Sequence, residues 1–70
     1  MELIEVESSA IRAIGYNEDT AILEIEFLKG SAYEYYDVPS YVNDELMAAD
    51  SKGTYANENI YKSYTQSRIR

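Results

Sequence analysis

Aromatic, amide and basic side chains in the second half of the sequence are the groups best suited to bind a ligand. Tyrosine rings stack on nucleobases, and ammonium groups or backbone N–H groups at a helix start bind phosphate. The candidates are Tyr36, Ser51, Lys52, Tyr55, Asn57, Lys62 and Tyr64. Together with the basic C-terminal residues, they predict a site that holds RNA or the phosphate of a nucleotide.

The same residue types also have structural interpretations. The chain has eight tyrosines but no tryptophan, and tyrosine often fills a thin core whose edge reaches water. Alternation over residues 32–36 predicts Tyr33 and Tyr35 in the core and Tyr36 on the opposite face. The segment Ser51-Lys52-Gly53 lacks the order of a Walker phosphate loop, because its lysine precedes its glycine. It is more typical of a helix end followed by a newly capped turn.

Carboxylates form a second group of candidates. Strand alternation places several of them on one sheet face, where they could contact a basic protein partner, as in a phage-type inhibitor that mimics nucleic-acid charge. These residues are Asp19, Glu24, Glu26 and Glu34. Glu24 and Glu26 lie on a solvated face where nothing would desolvate them, so acid–base catalysis is not expected from them.

Charge is distributed unevenly along the 70 residues. The whole chain has a formal net charge of -7, but residues 1–50 carry twelve acidic and two basic side chains. Residues 51–70 carry one acidic side chain, Glu58, against four basic ones: Lys52, Lys62, Arg68 and Arg70. A strongly acidic domain repels phosphate backbones unless its few cations gather on one face. The C-terminal segment is therefore the only part predicted to attract phosphate.

The composition excludes several kinds of chemistry. The sequence contains no cysteine and no histidine, so disulfides and the commonest zinc and haem ligands are excluded. No EF-hand spacing is present. We therefore expect no metal, no cofactor and no catalytic residue. No long apolar run or signal-peptide pattern is found, which predicts a soluble cytoplasmic protein without a membrane partner.

Period-two alternation predicts three antiparallel strands joined as a meander. The first covers residues 11–16, with Ile14 and Tyr16 on the same face as Arg12. The second covers residues 21–29, with Leu23, Ile25 and Phe27 toward the core. A turn with Gly30 leads to the third strand at residues 32–36. Residues 3–6 are either a short fourth strand or an ordered arm, and exposed sheet edges could pair with a second copy.

Helical patterns follow the strands. Pro39 ends the sheet, with Asp37 or Ser40 as the helix cap. The apolar stripe of Val38, Val42, Leu46 and Ala49 predicts a helix that covers one face of the sheet. A short second helix or turn is expected over residues 54–61, and residues 65–70 are expected to fray. The predicted fold is a single α+β domain.

The residue pattern as a whole resembles the KTSC domain family. The similarity is carried by three segments with the patterns S-x-x-I-x-x-I-G-Y, L-x-I-x-F-x-x-G-x-x-Y-x-Y-x-x-V-P and S-K-G-x-Y-x-N-x-x-I. They comprise Ser8, Ile11, Ile14, Gly15, Tyr16, Leu23, Ile25, Phe27, Gly30, Tyr33, Tyr35, Val38, Pro39, Ser51, Gly53, Tyr55, Asn57 and Ile60. The resemblance implies a small domain found alone in bacterial and phage proteins or at the C-terminus of some lysyl-tRNA synthetases. That association suggests RNA binding.

The sequence departs from the family pattern in two ways. Many members have a second aromatic residue directly after the tyrosine of the third segment, where this chain has Ala56. Members often carry arginines near the C-terminal isoleucine, where this chain has Glu58 and Tyr61. Both differences weaken an RNA-binding face.

Overall fold

The computed structural model describes residues 2–70, which form one antiparallel sheet and two helices. The strands are β1 (Ile4–Glu5), β2 (Ile11–Asn17), β3 (Ile22–Phe27), β4 (Ala32–Tyr35) and β5 (Gln66–Arg68), and the helices are α1 (Ser40–Ala48) and α2 (Lys52–Asn59). Strand order in the sheet follows the order in the chain. The predicted α+β class and central meander are confirmed, and the N-terminal segment does contain a strand.

The C-terminal residues correct the predicted fold. They were expected to fray, but residues 66–68 pair with β4, with Ser67 opposite Glu34 and Arg68 opposite Tyr33. The sheet therefore has five strands instead of three or four. Without β5, the outer N–H and C=O groups of β4 would have no strand to pair with, and this pairing satisfies them.

A bulge in β2 changes the position of Arg12. The pairing of β2 with β3 shifts between Ile11 and Ala13, which leaves Arg12 without a partner in the register. Its side chain reaches Glu26, with Nε 3.9 Å from a carboxylate oxygen. The prediction that Arg12 shares a face with Ile14 and Tyr16 is therefore wrong, because an extra residue in a strand breaks strict alternation.

Both helices pack on one face of the sheet. The buried cluster combines Ile11, Ile14, Leu23, Ile25 and Tyr35 of the sheet with Val38, Val42, Leu46, Ala56 and Ile60 of the helical half. Phe27 and Tyr33 pack against this cluster and are partly buried. Val42 and Leu46 of the predicted stripe therefore cover the predicted strands, whereas Val38 precedes α1 and Ala49 follows it outside the buried cluster. Neither α1 nor α2 lies over the other face of the sheet.

The two helices begin differently. Pro39 is the residue before α1 and no side chain of residues 2–70 caps this helix, so neither Asp37 nor Ser40 has the predicted role. Asp37 instead adopts φ +58°, which turns the chain out of the sheet, as Asp does more readily than most residues. Ser51 caps α2 by accepting a hydrogen bond from the Thr54 N–H at 3.3 Å. This helix starts at Lys52, two residues before the predicted start.

Ala21 has the same left-handed backbone as Asp37, with φ +58°. This conformation costs an L-residue roughly 1–2 kcal/mol, and glycine adopts it freely. We expect Ala21→Gly to raise the free energy of unfolding by about 0.5–1 kcal/mol, after the added backbone entropy of glycine. Urea unfolding followed by circular dichroism measures this change. Ala48→Gly, at an exposed helical position, is the control and should lower stability; a loss in both variants would contradict the prediction.

Candidate functional site

The predicted phosphate-binding groups Ser51 and Lys52 join the two helices. The Ser51 hydroxyl donates to Thr54 Oγ1 at 2.9 Å in addition to capping α2. Lys52 Nζ donates to the carbonyl oxygen of Ala49 at 3.1 Å, directly after α1, where a cation is favourable to the helix dipole. Both side chains therefore have structural partners, as expected for a helix end followed by a capped turn.

Tyr55 and Tyr64 lie on the helical side of the domain. The Tyr55 hydroxyl donates to Glu45 Oε1 at 2.6 Å. Burial, followed by this hydrogen bond and the negative charge of Glu45, raises the pKa of Tyr55 to about 12. Tyr64 packs against the core, and burial raises its pKa as well. Their hydroxyls stay protonated at neutral pH and act as hydrogen-bond donors.

The other members of the predicted set occupy separate places. Asn57 and Lys62 are exposed, on α2 and in the turn after it. Tyr36 lies on the other side of the sheet, where its hydroxyl donates to Glu34 Oε1 at 3.1 Å. The structure thus separates Tyr36 from the other predicted phosphate-binding residues.

The carboxylates lie on the sheet face without helices, which we call the open face. Glu24 of β3 and Glu34 of β4 are directly opposite each other in the register. Among residues 2–70 neither forms an ion pair, whereas Glu26 contacts both Arg12 and Arg70. The Glu26 side chain is only 19% exposed. Glu24 of β3 and Glu34 of β4 are therefore carboxylates whose charge on the open face is not offset by an ion pair with another described residue.

Two further carboxylates are positioned by the turns and edges. Asp19 is exposed in the turn between β2 and β3, where its N–H donates to Asn17 Oδ1 at 2.9 Å. Glu5 of β1 is exposed and pairs with Ala13, whose register places it on the same face as Glu26. Sequence reasoning did not assign Glu5, because a two-residue strand is too short to show alternation.

The sequence also did not show that four aromatic rings on the helical side lie together. Tyr33 and Tyr35 were predicted to point inward, but nothing in the sequence joined them to Phe27 and Tyr61. The ring centroid of Tyr61 lies 5.9 Å from that of Phe27 and 6.0 Å from that of Tyr35. The ring centroid of Tyr33 lies 6.1 Å from that of Phe27 and 6.4 Å from that of Tyr35. We call these four residues the aromatic cluster.

These surfaces are shallow: residues 2–70 enclose no pocket, and the same residues contain no grouping of carboxylates suited to a metal ion. Neither α1 nor α2, the helices of the described chain, has the length and apolarity needed to cross a membrane. Fold and surfaces together define a small α+β domain with two different exposed sides.

The chain belongs to the KTSC domain family, whose family model matches residues 7–64. A crystal structure of a KTSC domain protein from Yersinia pestis has the same fold, with a TM-score of 0.93 and 34% sequence identity. The similarity covers 99% of this chain and 97% of that one. A protein from Tsukamurella paurometabola is 50% identical over 52 residues, which cover 74% of this chain and 78% of that protein.

Lysine–tRNA ligases are also similar to this chain. The ligase from Nostoc punctiforme is 43% identical over 58 residues, and that from Trichormus variabilis has the same identity over the same length. The match covers 83% of this chain but only 10% of each ligase. A KTSC domain is therefore a small part of these enzymes.

The raised tyrosine pKa values predict loss of stability at high pH. Unfolded tyrosine ionises near pH 10, whereas burial raises the folded-state pKa of Tyr16, Tyr35, Tyr55, Tyr61 and Tyr64. Above pH 10 the unfolded chain binds fewer protons than the folded chain, so the free energy of unfolding falls as pH rises. It should be constant below about pH 9 and fall as the pH rises through 10 toward 12, as measured by urea unfolding.

Glu45→Gln tests the contribution of one carboxylate to this effect. The substitution removes the charge beside Tyr55, so the pKa of Tyr55 should fall from about 12 toward that of free tyrosine. Ultraviolet absorbance of tyrosinate during an alkaline titration measures the shift. Glu58→Gln, at an exposed position of α2, is the control. Identical titration curves for wild type and Glu45→Gln would contradict the assignment.

Proposed function

We propose that this KTSC domain is a non-catalytic interaction module whose open face binds a basic partner protein. The observation that carries the proposal is the Glu24–Glu34 pair, in which two carboxylates face each other across neighbouring strands. Like charges in this position destabilise a sheet. Two repelling carboxylates on a sheet face that no helix covers are suited to bind a cationic group of another molecule.

The contacts that basic residues already make within the domain support a protein partner over a nucleic-acid backbone. Among the C-terminal cations, Lys52 binds the Ala49 carbonyl and Arg70 binds Glu26. Positive charge that is already partnered contributes little to the release of counterions that dominates nucleic-acid affinity. The domain as a whole carries a net charge of -7, which attracts basic surfaces and speeds their association.

Glu24→Gln tests whether repulsion between the two carboxylates lowers the stability of the fold. Removing one charge relieves the repulsion, so the free energy of unfolding should rise by a few tenths to about 1 kcal/mol. The gain should shrink at high salt, because screening weakens the repulsion in the wild type. Glu18→Gln, at an exposed position in a turn, provides the control. Unchanged or lower stability in Glu24→Gln would contradict the existence of repulsion.

Affinity capture from the source cells, followed by reconstitution with the purified partner, tests the function. The wild type should retain a protein with a basic surface, and Glu24→Gln/Glu34→Gln should lose it. Glu18→Gln/Glu58→Gln has the same net charge but an intact open face, so it should retain the partner. Equal loss in both double variants would mean that net charge alone drives capture, and would refute a specific site.

A second candidate function is RNA binding by the helical side. The observation that favours it is the similarity to segments of lysine–tRNA ligases. The residues available are Tyr55, Asn57, Lys62 and Tyr64, which do not share the open face with Glu24 and Glu34. In this function tyrosine stacks on bases and Lys62 contacts a phosphate.

Fluorescence anisotropy with labelled single-stranded RNA, single-stranded DNA and tRNA at two salt concentrations tests this candidate. Lys62→Ala should weaken binding and reduce the salt dependence by about one phosphate contact. Lys29→Ala is the matched control, because Lys29 is an exposed lysine in the turn between β3 and β4. Lys52→Ala is unsuitable, since it also removes the bond to Ala49. No binding at low salt, or equal losses in both variants, would exclude the RNA function.

A further inference from the structure

The hydroxyls of Tyr33, Tyr35 and Tyr61 in the aromatic cluster have no hydrogen-bond partner among residues 2–70. By contrast, the hydroxyls of Tyr16, Tyr36 and Tyr55 each donate to an oxygen of the protein. No side-chain polar atom in the described part of the chain is both fully buried and unpaired. The three free hydroxyls therefore reach the surface, although Tyr35 as a residue is only 2% exposed.

The arrangement of the rings determines what this surface offers. The ring planes of Tyr33 and Tyr35 are at 27°, as are those of Tyr35 and Tyr61, so Tyr35 has two nearly parallel aromatic neighbours. The residue is only 2% exposed, so little of its ring face is open to a ligand. What Tyr35 presents to a ligand is its hydroxyl edge, which suits donation of a hydrogen bond better than stacking of a base.

The three hydroxyls are also close enough to affect one another. Burial raises the pKa of Tyr35, and the neighbouring phenols of Tyr61 and Tyr33 raise it further. Burial likewise raises the pKa of Tyr61. Tyr35 and Tyr61 therefore remain neutral donors at physiological pH, and they add no negative charge that would repel an anion.

Strand β5 places a cation beside the cluster. Arg68 is opposite Tyr33 in the register, so its side chain belongs to the helical side of the sheet. Its Nε donates to the carbonyl oxygen of Arg70 at 3.1 Å, and its terminal nitrogens have no bond to any of residues 2–70. Glu34 pairs with Ser67 and faces the opposite side. A planar guanidinium with free N–H groups is well suited to phosphate oxygens.

We propose that the hydroxyls of Tyr33, Tyr35 and Tyr61 and the guanidinium of Arg68 bind a phosphate group. A phosphate group has several acceptor oxygens, which match several neutral donors and one cationic fork. This site lies on the side of the sheet opposite to the proposed protein-binding face. Its existence does not depend on the proposed function.

Proton–nitrogen correlation NMR of the full chain, titrated with inorganic phosphate and with uridine monophosphate, tests the site. Saturable shifts are expected at residues 33, 35, 61 and 68. Tyr61→Phe keeps the ring and removes one hydroxyl, so it should weaken binding about tenfold, the loss expected for one hydrogen bond to a charged group. Arg68→Gln should weaken binding at least as much. A decauridylate titration distinguishes the sources of phosphate: tighter binding identifies a nucleic-acid backbone, and weaker binding a small metabolite.

Matched variants keep the test decisive. Tyr41→Phe removes the hydroxyl of an exposed tyrosine on α1 and should bind phosphate like the wild type. Glu24→Gln/Glu34→Gln should also bind normally, which separates this site from the open face. Circular dichroism verifies that Tyr61→Phe is folded, and Tyr33→Phe provides a second hydroxyl deletion. No saturable binding of any probe, or unchanged affinity in both hydroxyl deletions, would overturn the proposal.

Discussion

The contacts of Val38 fix the direction in which the chain leaves the sheet. Its side chain is fully buried, its N–H donates to the Ala21 carbonyl at 2.9 Å, and its carbonyl accepts from the Tyr16 hydroxyl at 2.6 Å. These bonds tie the crossover after β4 to the hairpin of β2 and β3. Because α1 starts two residues later, they direct both helices onto one face and leave the other face open. In a chain of 70 residues, one covered face is about as large a core as the sequence can build.

The central part of this architecture is visible in the sequence because it depends on local periodicity. Leu23 and Ile25 alternate with glutamates, and Val42 and Leu46 repeat at helical spacing, so their buried faces can be read directly. Strand β5 carries no such signal, since all three of its residues are exposed. Its pairing depends on the free edge of β4 and on the contact between Arg70 and Glu26. Both are tertiary features that a local pattern does not encode.

The same distinction applies to the candidate sites. Alternation correctly placed Glu24 and Glu34 on one face and Tyr33 and Tyr35 on the other, because one strand register decides all four positions. It could not show that Lys52 is used by the end of α1 or that Glu26 is covered by two arginines, since those partners come from other elements. Tyr61 joins the aromatic cluster only because the turn after α2 returns to the sheet. Alternation in the sequence therefore showed on which sheet face these side chains lie, but not which groups of other elements they contact.

Strand β4 links the two sides of the molecule. Its alternate residues supply a carboxylate to the open face and two phenols to the aromatic cluster, and β5 adds Ser67 beside Glu34 and Arg68 beside Tyr33. A slip of one residue in this pairing would exchange the sides, placing the arginine with the carboxylates and removing it from the phenols. The bond from the Ala32 N–H to the Arg70 carbonyl at 2.9 Å and that from the Tyr36 N–H to the Thr65 carbonyl at 2.9 Å hold both ends of the pairing in register. The placement of Arg68 beside the phenols and away from Glu34 is thus set by backbone hydrogen bonds along one edge of the sheet.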